Sequence, residues 1–275
     1  MKPTNRIRLL LLLIPITNFC FAQTINSSLN LREKVTLEVI KENDRNTKKD
    51  TTYLKTPPNK LSFINQFDYL LNESLTSNYI NAIFSSKNSS IQQFSKPIKI
   101  YIDPNIEKSL REEFIGYIND IPTIKNLSIS FVNSLDDSNY YIKIANKNFN
   151  GISKKVLNKF TEAERKNLIF EKISRINFND NNQNTYACLL TLSPSIFQDD
   201  NMMTKLKKAF FISLGNFNVL TYGAPNGSVL NIKTTQINRL NKDDILLLKM
   251  HYFHIYDFKV DFKIFKEIRK LKIKN

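Results

Sequence analysis

204-TKLKKAFFISLGNFNVL-220 is the stretch whose reading decides the fold. Leu206, Ala209, Phe210, Ser213, Leu214 and Phe217 recur at helical spacing, so one side of this segment is an apolar stripe that needs a partner surface. Thr204 stands where an N-cap hydroxyl would accept a backbone amide, and Gly215 stands where the helix runs out. The segment is therefore expected to be a core helix over 204–214, laid against a sheet or other helices.

Working upstream, 98-IKIYID-103 alternates like a strand and is stopped by Pro104. A helix over 106–121 follows, with Ile106, Leu110, Phe114, Tyr117, Ile118 and Ile121 on one stripe. Short strands are expected at 127–132 and 140–145. Thr161 and Glu164 have the spacing of a capping box, which predicts a helix over 161–173, and 185-TYACLLTL-192 reads as a strand. Downstream, 222-YGAPNGS-228 is a loop, and Asn241 caps a helix over 243–255 whose first turn carries Asp243 and Asp244, where the helix dipole favours them. Strands interleaved with helices in this order define an α+β fold, a mixed sheet with packed helices.

The amino terminus has a different character. Lys2, Arg6 and Arg8 precede the apolar run Leu9–Ile16, and Cys20-Phe21-Ala22 has the small-x-small form of a cleavage site. Residues 1–22 are thus expected to be a secretory signal peptide cut after Ala22, placing the mature chain in the periplasm or medium. Nothing further along approaches the ~18 apolar residues of a membrane span. Residues 23–96 read as a polar leader with a short strand at 35–40, a stop at Pro57-Pro58, a helix near 61–84 and a linker from Ser85 to Pro97. Cleavage leaves Cys188 as the sole cysteine, so no internal disulfide is available, and its apolar neighbours make it a small buried hydrophobe.

The formal charge of +15 attracts polyanions in general, but Lys and Arg are spread along the whole chain. The one concentrated basic element is the tail, 258–275. It reads as an amphipathic helix with Phe262, Phe265, Ile268 and Leu271 opposite Lys263, Lys266, Arg269, Lys270, Lys272 and Lys274. Such a stripe either packs on its own domain or lies on an anionic membrane surface.

The element order, with a Ser-Leu-Gly helix late in the chain, resembles the catalytic domain of the zincin metalloproteases. A nearer resemblance is to the DUF2927 family of secreted bacterial domains, carried by 207-KKAFFISLGNFN-218, 228-SVLN-231 and 240-LNKDDILLLKMHYFHIYD-257. It covers roughly 97–257 and implies a zincin-like sheet for that region. In zincins the helix carries an HExxH motif and a third ligand beyond the glycine. If Gly215 matches that glycine, the two ligands and the general base fall on Lys208, Ile212 and Ala209, and the third ligand falls on Asn218. An ammonium, a methyl, a branched alkyl and an amide neither hold zinc nor take a proton from water. The resemblance therefore implies a degenerate site without a cofactor. It also implies a remaining cleft beside an edge strand, expected at Tyr186 to Leu192 with Asn216, Asn218 and Tyr222 nearby, where an extended peptide could pair.

Other chemistry has thin support. His251 and His254, the only histidines, are spaced i,i+3 on the last core helix with Asp257 within reach, which would allow a relocated metal site. Glu112-Glu113, Asp136-Asp137, Asp199-Asp200 and Asp243-Asp244 are neighbours on single elements and do not face each other as a glycosidase pair must. No nucleophile elbow or phosphate loop is present. The expectation is an exported, non-catalytic module binding a protein or peptide. The alternatives are a metal-dependent hydrolase built on His251, His254 and Asp257, or a polyanion or membrane-surface binder acting through the tail.

Overall fold

In the computed structural model the described residues are 73–84, 89–160, 165, 168–220 and 224–274, with side chains up to 269 apart from that of 154. The expected signal peptide, the strand at 35–40, the start of the helix near 61, the capping box Thr161/Glu164 and Tyr222 lie outside them.

The described chain runs α1 (Glu73–Ile83), β1 (Gln93–Phe94), β2 (Ile98–Ile102), α2 (Lys108–Asn119), β3 (Ile129–Phe131), β4 (Tyr140–Ile144), α3 (Lys154–Leu157), β5 (Ile173–Asn179), β6 (Asn184–Leu192), α4 (Met202–Gly215), α5 (Lys242–His251) and α6 (Phe262–Lys274). The strands form one sheet in the order β3-β2-β4-β6, parallel throughout, and β5 pairs antiparallel along the far side of β6. Two-residue β1 runs parallel to the start of β6, with Gln93 opposite Asn184. The α+β mixed sheet read from the sequence is what the chain forms.

Burial explains why these residues make these strands. Ile98, Ile100, Tyr140, Ile142, Leu190 and Leu192 are all sealed from solvent and alternate with more exposed neighbours such as Lys99, Tyr141 and Leu189, so one face of the sheet carries most of the core. The edge strands β3 and β5 are mostly half-exposed, and Ile176 is 47% exposed. α4 lies on β1, β5 and β6 and against α2. Its Phe210 meets Phe114 edge-on at 5.5 Å and Tyr140 at 5.4 Å, so helix, sheet and α2 share one aromatic centre.

Several expectations need correction. Of the helix expected over 161–173, Arg165 is helical, Ile169–Glu171 forms a short 3-10 turn and β5 begins at Ile173, while 161–164 and 166–167 lie outside the described residues. The alternation Ile173-x-x-Ile176-x-Phe178 is too polar to show as a strand in sequence, because only its inner edge is bonded to neighbours. α4 starts two residues earlier than read, with Asn201 as its cap and Thr204 inside the first turn. Its end is capped by Asn216 in the left-handed conformation (φ 51°), a role that an asparagine tolerates. α5 ends at His251, so His254 lies beyond it. The Asn241 cap holds: its side chain accepts from Asp244 N.

Contacts run across the divisions expected at 96/97 and 257/258. Tyr79 of α1 and Phe84 just beyond it pack on Phe265 of α6, and Ile91 N donates to Val260 O. The segment read as a linker contains β1 and a bridge from Ser90 to Asp261. Leader helix, β1 and basic tail belong to the same core as the sheet. The tail's Phe265 and Ile268 are each 2% exposed, so these two residues of its apolar stripe pack on their own domain.

Gly215 is required for close approach and not for backbone freedom. A methyl there would stand 2.5 Å from the Phe217 ring and 2.7 Å from His251 Nε2. We expect Gly215→Ala to cost about 1–3 kcal/mol through overpacking, read as a lower urea midpoint with an unchanged slope.

Candidate functional site

One core-facing stripe is what the sequence predicts for α4. Instead it is buried nearly all round, and Lys205, Lys207 and Lys208 are 3%, 4% and 1% exposed. Each ammonium is taken out of water against its own oxygen partners, without which its burial would be prohibitive. Lys205 donates to Asp199 at 2.8 Å, and Lys172 joins the same carboxylate at 3.1 Å. Lys207 donates to Glu113 at 2.8 Å and to the carbonyl of Ile237 at 3.0 Å. Lys208 donates to the carbonyls of Asn231 (2.9 Å) and Thr234 (2.7 Å).

The Lys208 contacts close a polar network through the loop before α5. Asp244, 1% exposed, accepts from Ser228 Oγ at 2.6 Å and from Val229 N at 3.0 Å. A cation from α4 and an anion from α5 thus grip the same loop from opposite ends. Burial pulls the Lys208 ammonium down to about 8, against the attraction of Asp244. Burial likewise holds the Asp244 carboxyl above its ordinary range.

Of the four positions that the resemblance assigns to a zinc site, Lys208, Ala209 and Ile212 lie in the core, the last two fully sealed. Asn218 is half-buried, and its amide donates to the carbonyl of Ala82 at 2.8 Å. The relocated set does not converge either. His251 is 1% exposed, with Nε2 2.8 Å from Gln92 O and Nδ1 3.0 Å from Tyr79 Oη. A carbonyl can only accept, so Nε2 carries the proton and Nδ1 accepts from the tyrosine, leaving no lone pair for a metal. No group of three His, Cys, Asp or Glu side chains suited to a metal occurs among the described residues. Cys188 is buried, and burial pushes its thiol up to about 12, as for an inert core cysteine.

The expected cleft is also relocated. β6 has β5 on one side and β4 and β1 on the other, so Tyr186 to Leu192 is interior and Leu192 is fully buried. β3 forms one edge of the sheet, and β5 forms the edge that lies against α4. Ser193 N donates to Lys172 O, and Cys188 N donates away to Asn139 O on the β4 side. This alternation turns the backbone groups of Ile173, Arg175 and Asn177 outward, and no strand pairs with them among the described residues. Asn216, expected in the cleft, does lie beside this strand: its Oδ1 accepts from Arg175 Nη2 at 2.5 Å.

Next to that edge is a cavity of about 280 Å³. Its walls are apolar, chiefly Ile152, Phe170, Phe217, Val219 and Ile232, with Arg175 and Asn218 as the polar groups. Arg175 reaches in from β5, donates Nη1 to Ile212 O at 3.1 Å and lies over the Phe170 ring. Burial lowers its pKa, and no carboxylate pairs with it among the described residues. Sequence reading misses Arg175 because it assigns no element to 174–184, between the helix expected over 161–173 and the strand from 185.

Comparison with known proteins finds no match to any protein family, curated protein or solved structure.

Proposed function

We propose that this chain is an exported, non-catalytic binding module of zincin-like, DUF2927-like architecture that takes an extended peptide along the outer edge of β5. The amino-terminal 1–22 pattern supports export to the periplasm or medium. The observation that carries the reading is the pair of outward-turned, half-exposed backbone positions Arg175 and Asn177, beside a helix whose zinc-ligand positions hold Lys208, Ala209 and Ile212. An exposed strand edge is a ready template for another chain, and strand addition needs no chemistry.

The alternatives have less behind them. A relocated metal hydrolase would need His251, both of whose ring nitrogens are already bonded. A membrane-surface role for the tail has against it that Phe265 and Ile268 of its apolar stripe are buried in the core.

Hydrogen exchange on the mature protein tests the reading with a library of extended peptides. Binding is expected to slow the amides of Arg175 and Asn177 and leave those of Ser174 and Ile176, already bonded within the sheet, unchanged. Zinc addition should neither raise affinity nor produce cleavage. Metal-dependent turnover of any peptide in the library defeats the non-catalytic reading, and saturation binding with no protection in β5 defeats the edge assignment.

A further inference from the structure

Resting on that reading, we propose that the β5 edge and its cavity select a free peptide carboxy terminus whose last side chain is bulky and apolar, with Arg175 taking the carboxylate. Three observations converge on this chemistry. The cavity is large enough for one aromatic or branched side chain and offers it almost only apolar walls. The one cation in those walls spends two N–H donors on neutral oxygens, Ile212 O and Asn216 Oδ1. A guanidinium has five donors in a planar fork suited to a carboxylate, so three remain unspent among the described residues. Finally, Arg175 turns its backbone outward while its side chain lies on the α4 face of the sheet.

The geometry of strand pairing links these features. Directly opposed residues on paired strands point their side chains to the same face. A residue added opposite Arg175 therefore projects its side chain toward α4, the side on which Phe217, Val219 and Ile232 wall the cavity. If that residue ends its chain, its carboxylate lies beside the guanidinium. An internal residue would bring only a neutral amide to Arg175, and its chain would have to continue past the cavity. A charge-assisted, bidentate contact distinguishes the two cases.

The test needs no variant to begin with. Three peptides are titrated into the mature protein by calorimetry: an N-acetylated hexapeptide of alternating threonine and valine ending in free-acid phenylalanine, the same peptide as its carboxamide, and the same peptide extended by glycine and serine. The free acid is expected to bind at least tenfold (1.4 kcal/mol) more tightly than either of the others. Arg175→Gln should bring the three affinities together, whereas Ile152→Trp, which fills the cavity from a half-exposed position, should weaken the free acid at least tenfold.

Equal affinity of acid and carboxamide on the unmodified protein overturns the carboxylate assignment while the edge-binding reading stands. Failure of all three to bind or to protect β5 overturns both. Octanoate competing as strongly as the free-acid peptide, without protection of β5, would show a carrier of small apolar acids and also overturn the proposal. Because the acid–amide comparison uses the natural chain, it decides the matter even if Arg175→Gln proves unstable through loss of its contact with the α4 terminus.

Discussion

His251→Ala is expected to remove about 4 kcal/mol of stability, a large share of what a domain of this kind possesses. The imidazole fills a cage made by the rings of Tyr79, Phe217 and Tyr252, with centroids at 5.9, 4.8 and 5.1 Å. Truncation leaves a cavity and also orphans Tyr79 Oη and Gln92 O, both buried around it. Equilibrium urea unfolding of the two proteins measures the loss.

The same residue should give the natural protein an acid-sensitive stability. Burial drops the folded-state pKa of His251 to about 4, whereas the unfolded chain titrates near 6.5. Between those values the unfolded state binds the extra proton, so the contribution is complete above pH 6.5 and is lost as pH falls toward 4. At 1.36 kcal/mol per unit, the slope amounts to about 3 kcal/mol over that window. His254, also lowered by burial, acts with the same sign. His251→Ala should flatten most of the slope, and a variant that keeps it would show that the imidazole is not held neutral.

Lys208→Glu is the second large effect. A carboxylate in place of the ammonium would face the carbonyl oxygens of Asn231 and Thr234 in a sealed site near Asp244. With every partner repulsive, a loss above about 4 kcal/mol is expected, and soluble expression should fall. Lys208→Met tests the same site gently. It preserves volume and removes the charge burial, but leaves two carbonyls without a donor, so the opposing terms should nearly cancel to within about 2 kcal/mol.

The alkaline side separates these variants from the natural chain. The Lys208 pKa is about 8 when folded and near 10.4 when unfolded, so from pH 8 upward the unfolded state holds the extra proton and stability rises with pH. The rise is bounded above. Tyr79, Tyr117, Tyr140, Tyr252 and Tyr256 all have pKa values raised by burial, so past pH 10 the folded state binds more protons and stability falls. Cys188 opposes this, its thiol holding its proton to about 12 when folded, so the difference is the readout: between pH 8 and 10 the natural protein should gain stability relative to Lys208→Met. Thermal melts across that range give the comparison directly.

The fate of the lysines shows where sequence reading reaches its limit. Periodicity found α4 and its stripe, because Leu206, Phe210 and Leu214 repeat at the helical period whatever surrounds them. It says nothing of where Lys205, Lys207 and Lys208 go, because a buried lysine differs from a solvated one only by its distant partners. Those partners are Asp199, Glu113 and two carbonyls of the 231–234 loop. β5 escaped for a related reason: an edge strand bonded on one side does not impose the alternation by which strands are read. The carboxylates pointed out in the sequence turn out to be structural, with Glu113, Asp199 and Asp244 each bonded to a neighbour.

Sequence alone determined the α+β class, the central helix, the interior strands β2, β4 and β6, the Asn241 cap and the absence of zinc-ligand chemistry at 208, 209 and 212. These depend on local periodicity and on the atoms that a side chain carries. Tertiary structure alone decided that β1, α1 and α6 join the core, that β5 forms the edge against α4, and that Arg175 faces an apolar cavity. Those facts come from contacts between residues far apart in the chain, and no local pattern encodes which surface a strand leaves unpaired.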